Sequence, residues 1–107
     1  MVRKKEGCRV GAISHSEDNK IILFGYGVYQ GDKVLTDIEK DQRPSGMMGE
    51  MLIEAGIPNP CILLDDGNYV WGCECWWGTE EEVKKQVEKY DTIKYCSIIE
   101  TRKKFTK

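Results

Sequence analysis

Apolar residues along this chain come in short bursts with polar turns between them, and the period of each burst names an element. The run Cys8 to Ser14 is β-compatible, Ser16-Glu17-Asp18-Asn19 offers turn chemistry, and Ile21 to Tyr29 is strongly apolar. Together they predict a hairpin. Alternation in its second strand puts Ile22, Phe24, Tyr26 and Val28 on one face, and Ile21, Leu23, Gly25, Gly27 and Tyr29 on the other, notched by its two glycines. Gln30 to Gly46 is polar, contains Pro44 and reads as a long loop. Beyond it Met47, Met48, Met51, Leu52 and Ala55 recur at helical spacing, with Ser45 as N-cap, Gly56 as the stop and Pro58 past the end. The methionines read as core filler, since Met fits irregular apolar gaps.

Cys61 to Leu64, the turn Asp65-Asp66-Gly67-Asn68 and the run Tyr69 to Trp77 predict a second hairpin, with Asp-Gly supplying a two-residue turn of positive φ. Thr79 and Glu82 then form a capping box, so a helix starts at Glu80 and buries Val83, Val87 and Tyr90 as a narrow stripe. Tyr95 to Ile99 reads as a last strand before a basic tail. The expectation is one α+β domain over residues 1–107: an antiparallel sheet of about five strands, from two hairpins plus a C-terminal strand, with two short helices and basic, flexible ends.

Composition narrows the function classes. The chain is 107 residues long, 32% charged and 40% apolar, with a formal net charge of −2, which fits a folded domain and lacks the basic excess of a protein that grips nucleic-acid backbone. Basic residues cluster only near the ends, as Arg3-Lys4-Lys5 and Arg102-Lys103-Lys104, and these read as solvated. The longest apolar runs fall short of the about 18 to 20 residues that span a bilayer, and Glu6-Gly7-Cys8-Arg9 follows the basic start without a secretory apolar stretch. A cytoplasmic location, no membrane and no nucleic acid are expected. Five cysteines then read as reduced thiols.

The richest segment is VWGCECWWG, Val70 to Gly78. As an extended strand it would put Trp71, Cys73, Cys75 and Trp77 on one face and Val70, Gly72, Glu74 and Trp76 on the other, both largely apolar, so a central strand covered on both sides, in part by a second subunit, is expected. Same-face neighbours on a strand lie about 7 Å apart, so Cys73 and Cys75 are poorly placed to share a zinc, and Cys8, Cys61, Cys96 and His15 lack metal-ligand spacing. No metal and no cofactor are expected, and His15 reads as a surface residue. Glu74 in an apolar setting could act as a general acid or base, yet no nucleophile or second carboxylate is tied to it by spacing. Binding fits the composition better. Gly25, Gly27 and Tyr29 form a smooth channel, Trp71, Trp76 and Trp77 offer flat rings, and Glu74, Arg43 and Gln30 are polar anchors for a planar ligand. Gly25-Tyr26-Gly27 is no dinucleotide fingerprint, because Gln30 stands where the third glycine would be.

The segments RVGAIS, LFGYGVYQGD and LDDGNYVWGCECWWG resemble a family of small proteins encoded by bacteriophages and bacteria. The resemblance covers roughly Cys8 to Glu82 and carries no activity with it. What it implies is a context, in which small phage proteins act by binding, including counter-defence proteins that sequester a nucleotide signal or block a host effector. The expected function is therefore a non-enzymatic, self-associating binding protein with an aromatic-lined pocket for a nucleotide-like small molecule. Direct inhibition of a host effector protein is the alternative, and a small enzyme using Glu74 is the third.

Overall fold

The computed structural model describes residues 5–105, so Arg3 and Lys4 of the expected basic ends lie outside the described residues. Strands β1 (Arg9–Glu17) and β2 (Lys20–Lys33) form the first hairpin, turning at Asp18-Asn19, with Asp18 in the left-handed region at φ 52°. Helix α1 (Gly46–Ala55), hairpin β3 (Asn59–Leu64) and β4 (Tyr69–Trp71), and β5 (Trp76–Thr79) follow. Helix α2 (Glu80–Val87), β6 (Thr92–Tyr95) and helix α3 (Ile98–Phe105) complete the chain. This is a mostly antiparallel α+β fold, with strand order β4-β3-β2-β1-β5 and β6 parallel to the start of β2.

The order forces curvature. In a flat sheet β4 and β5 would stand about 19 Å apart, four strand spacings. Only a short 3₁₀ turn at Gly72–Glu74 and Cys75 join them, and such a turn advances about 2 Å per residue. The sheet therefore curls, bringing its edges together around a core of Val10, Ala12, Phe24, Ile62, Leu64 and Val70, plugged by Ile98 of α3. Its outer surface carries two further clusters: Ile13, Ile21 and Leu23 under Val83 and Val87 of α2, and Cys61 and Trp71 with Leu35.

Several expectations are corrected by this arrangement. The run Tyr69 to Trp77 is not one central strand: the 3₁₀ turn splits it into β4 and β5 at opposite ends of the sheet order, so Trp71 and Cys73 join the outer cluster while Cys75 and Trp77 join the inner one. With the strand split, no two-sided apolar strand over Val70 to Gly78 is left for a partner subunit to cover. In β2 a bulge at Phe24-Gly25, where Ala12 pairs Gly25 and Ile13 pairs Leu23, reverses the alternation, and Gly25 accommodates it at φ 136°. Phe24 thus shares the inner core with Tyr29, and Tyr26 packs outside toward α2. The second hairpin turns through three residues, with Gly67 at φ 91°, Gly67 N–H donating to Leu64 O and Leu64 N–H to Asn68 O; Asp66 has no positive φ.

The methionines are not core. Met47, Met48 and Met51 are 76%, 50% and 62% exposed, and Gly49 is the buried residue of α1, its Cα against Pro44 O. The expected loop Gln30 to Gly46 is in fact the end of β2 and two 3₁₀ turns, Leu35–Asp37 and Lys40–Gln42, anchored by fully buried Leu35. The expected last strand falls earlier, at β6, and the basic tail is helix α3 with Arg102 buried. The capping box of α2 is present as read, Thr79 Oγ1 accepting from Glu82 N–H and Glu82 Oε1 from Thr79 N–H.

Gly27 marks the tightest approach in the sheet. A Cβ there would lie 2.2 Å from Leu63 O and 2.7 Å from Leu64 Cα, so β2 and β3 could not keep their separation. Gly27→Ala is expected to cost about 2 to 3 kcal/mol, the upper range of overpacking. Urea unfolding checks it, and a loss under about 0.5 kcal/mol would show that the strands part freely.

Candidate functional site

Glu74 ends the 3₁₀ turn and faces Arg102 of α3. Arg102 Nε donates to Glu74 Oε2 at 2.8 Å and Nη2 to Oε1 at 2.7 Å, and the two side chains are only 8% and 10% exposed. This bidentate geometry is the strong form of the carboxylate–guanidinium contact. Around it the outward edge of β4 is sealed by side chains. Tyr69 N–H donates to Gln42 Oε1, Tyr69 O accepts from Arg102 Nη2, and Trp71 N–H donates to Glu74 Oε1. An open strand edge invites pairing with another chain, and here the ion pair and Gln42 occupy those groups. The candidate acid–base residue is thereby held as a brace between β4 and α3.

The other sequence candidates do not converge. Trp71 is fully buried, its Nε1–H donating to Gln42 O at 2.8 Å. Tyr29 lies in the inner core against Trp77, ring centroids 5.0 Å apart at 36°, and its hydroxyl donates to Asp32. Gly27 is closed by the backbone of β3, and the Gln30 amide donates to Val28 O within its own strand. Gly25, Arg43, Glu74 and Trp76 each line a different surface cleft.

Two of those clefts adjoin. The first, about 430 Å³, lies between the Lys40–Ile53 segment and α3; Lys40, Arg43, Arg102 and Lys103 line it with Asp41 and Glu50, and Pro44, Ile53 and Ile99 supply apolar wall. The second, about 400 Å³, is lined by Met47, Met48, Ile98, Cys73 and Glu74. Pro44, Ser45, Gly46 and Arg102 border both, and Ser45 Oγ–H donates to Arg102 O at 3.3 Å across the ridge between them. A third cleft, about 470 Å³, opens at Gly25 where β3 leaves the edge of β2 and β6 takes it over. Asp65 on its rim is held by Arg9 at 2.7 and 2.8 Å, and this contact keeps its carboxyl below the usual range. The fourth, about 190 Å³, sits beside Trp76.

Lys40, Lys103, Met47 and Met48 are cleft residues that sequence reasoning missed. The available signal was the spacing Ile98, Ile99 and Arg102, which repeats on one helical face through the run taken for a tail. Three of the five thiols offer little nucleophilic chemistry. Burial, with Glu74 nearby adding to it, pushes Cys73 up to about 11 and Cys75 up to about 12, and burial alone raises Cys61 to about 11. Among the described residues no group of three or more His, Cys, Asp or Glu side chains could hold a metal ion, and no helix is long and apolar enough to cross a membrane. Comparison with protein-family models, curated proteins and solved structures finds no match to this chain.

Proposed function

We propose that this protein works by binding and not by chemistry, and that its ligand is a small anion of nucleotide type seated in the cleft between α1 and α3. One observation carries the reading: in a chain of net charge −2, Lys40 and Arg43 from one segment and Arg102 and Lys103 from α3 gather around one cleft of about 430 Å³. Arg102 is already paired with Glu74, so Lys40, Arg43 and Lys103 face Asp41 and Glu50 there, while Pro44, Ile53 and Ile99 give a base an apolar wall. The engaged state of Glu74 and the raised thiols support a binding role over turnover. Removal of a host nucleotide signal from solution, the use implied by the phage resemblance, fits this reading.

A thermal-shift screen against cyclic dinucleotides, cyclic trinucleotides, ADP-ribose and NAD tests it. A ligand present at 100 times its Kd adds about 2.7 kcal/mol to native stability, a shift of several degrees for a domain of this size. The expected result is such a shift with at least one compound, abolished in the double variant Arg43→Gln, Lys103→Gln. A shift unchanged in that variant would move the site elsewhere, and none with any compound would end the nucleotide reading.

A second reading, direct contact with a host effector protein, is favoured by the exposed apolar side chains in and just after α1. Met47, Met48 and Met51, with Ile53 and Ile57, stay in water, and methionine-rich surfaces adapt readily to protein partners.

A further inference from the structure

Trp76 is 62% exposed at the start of β5, whereas Trp71 is fully buried and Trp77 packs on the inner core. Leaving an indole in water forfeits the burial that places most large aromatics inside, so the surroundings of this one are informative. A groove of about 190 Å³ runs beside it, rimmed by His15, Gln86, Tyr90, Ser14 and Ser16. Its floor is Ile13 and Ile21, both nearly fully buried.

The chemistry of that rim is unusual for this chain. Although 32% of all residues are charged, no Asp, Glu, Lys or Arg lines the groove; hydroxyl, amide, imidazole and phenol groups do. The imidazole is already oriented, Ser14 Oγ lying 2.9 Å from Nδ1 and Glu17 Oε1 4.0 Å from Nε2. With no Lys or Arg on the rim, the groove has no fixed positive charge for a phosphodiester, which argues against a nucleic-acid strand and separates this site from the cationic cleft.

We propose that this groove is a second binding site, for a neutral pyranose ring. The volume admits a single six-membered ring. The C–H face of the sugar stacks on the Trp76 indole, and its hydroxyls exchange hydrogen bonds with Gln86, His15, Tyr90 and the serines. An uncharged sugar keeps the desolvation cost low, and no Asp, Glu, Lys or Arg of the rim has to leave water to receive it. The inference stands independently of the anionic ligand, since the two sites share no residue.

The test is titration of the ¹⁵N-labelled protein with maltohexaose, cellohexaose and chitohexaose, following the three indole Nε1–H resonances, to roughly 10 mM so that a millimolar Kd is read. The expected result is saturable movement of the Trp76 resonance alone with at least one oligosaccharide. In Gln86→Ala the affinity is expected to fall about tenfold, the upper end for one neutral hydrogen bond. No movement with any of the three sugars would overturn the proposal. So would movement with adenosine or uridine in the absence of movement with the sugars, because it would assign the groove to a nucleobase.

Discussion

Arg102→Met is expected to lower stability by about 3 to 5 kcal/mol, the cost of leaving a buried partner charge uncompensated. Glu74 would keep its position with about one tenth of its side chain exposed, and it would lose both guanidinium bonds at once. Tyr69 O would lose its donor in the same step. The damage is then structural: the outer edge of β4 opens and α3 loosens from it. Replacing both charges, as Glu74→Leu with Arg102→Met, is expected to recover much of the loss, since an apolar pair of similar volume often matches a buried ion pair. Urea denaturation of the two variants reads the difference. A single-variant loss below about 1 kcal/mol would put the pair in the class of exposed salt bridges and remove the brace.

Trp71→Ala is expected to cost a comparable amount, about 3 to 5 kcal/mol, through the cavity left when a large core side chain is truncated. Trp71 is fully buried among Cys61, Leu35 and the partly buried Ile38, Leu52, Tyr69 and Cys73, so few neighbours can collapse into the space. The change also orphans Gln42 O, the acceptor for its Nε1–H. Trp71→Phe separates the two effects, retaining most of the apolar volume and losing only the donor, and should cost about 1 to 3 kcal/mol. If Ala and Phe proved equally mild, the outer cluster would contribute little, and the 3₁₀ segment from Leu35 to Gln42 would need another anchor.

How far these features could be read in advance depended on the range of the interaction behind them. The Thr79–Glu82 box, the stop at Gly56 and the turn at Gly67 are local chemistry, and the first two sit where their residues predict. The bulge at Phe24-Gly25 is a one-residue slip in pairing that leaves no trace in an unbroken apolar run, yet it exchanges the faces of Tyr26 and Tyr29. The break at Gly72–Glu74 has the same character, because Trp71 and Trp76 are equally apolar whether a strand continues or crosses between sheet edges. Glu74 was legible as an anomaly. Its partner was not, because Arg102 stands 28 residues away among lysines that disguise a helix as a tail. Methionine spacing in α1 identified the helix and could not tell a buried face from an exposed one, since the pattern is the same for both.

The candidate site divides along the same line. Residue types pointed to binding, and Glu74, Arg43 and Trp76 do reach clefts. The grouping of aromatics into one pocket followed from treating Val70 to Gly78 as a single strand, and it dissolves once that strand is two. The cationic cleft depends on α3 folding back toward the Lys40–Gly46 segment, a tertiary event with no local signature.

On the binding reading the protein captures a small anion and leaves it intact. Isothermal titration of the purified chain with the nucleotide that gives the largest thermal shift tests it most directly, run at low and at high salt with the ligand recovered and analysed by chromatography afterwards. Saturable binding that weakens as salt is raised is expected, because Lys40 and Lys103 of the cleft are exposed, together with a ligand recovered unchanged. Binding indifferent to salt, or a ligand returned as product, would contradict it.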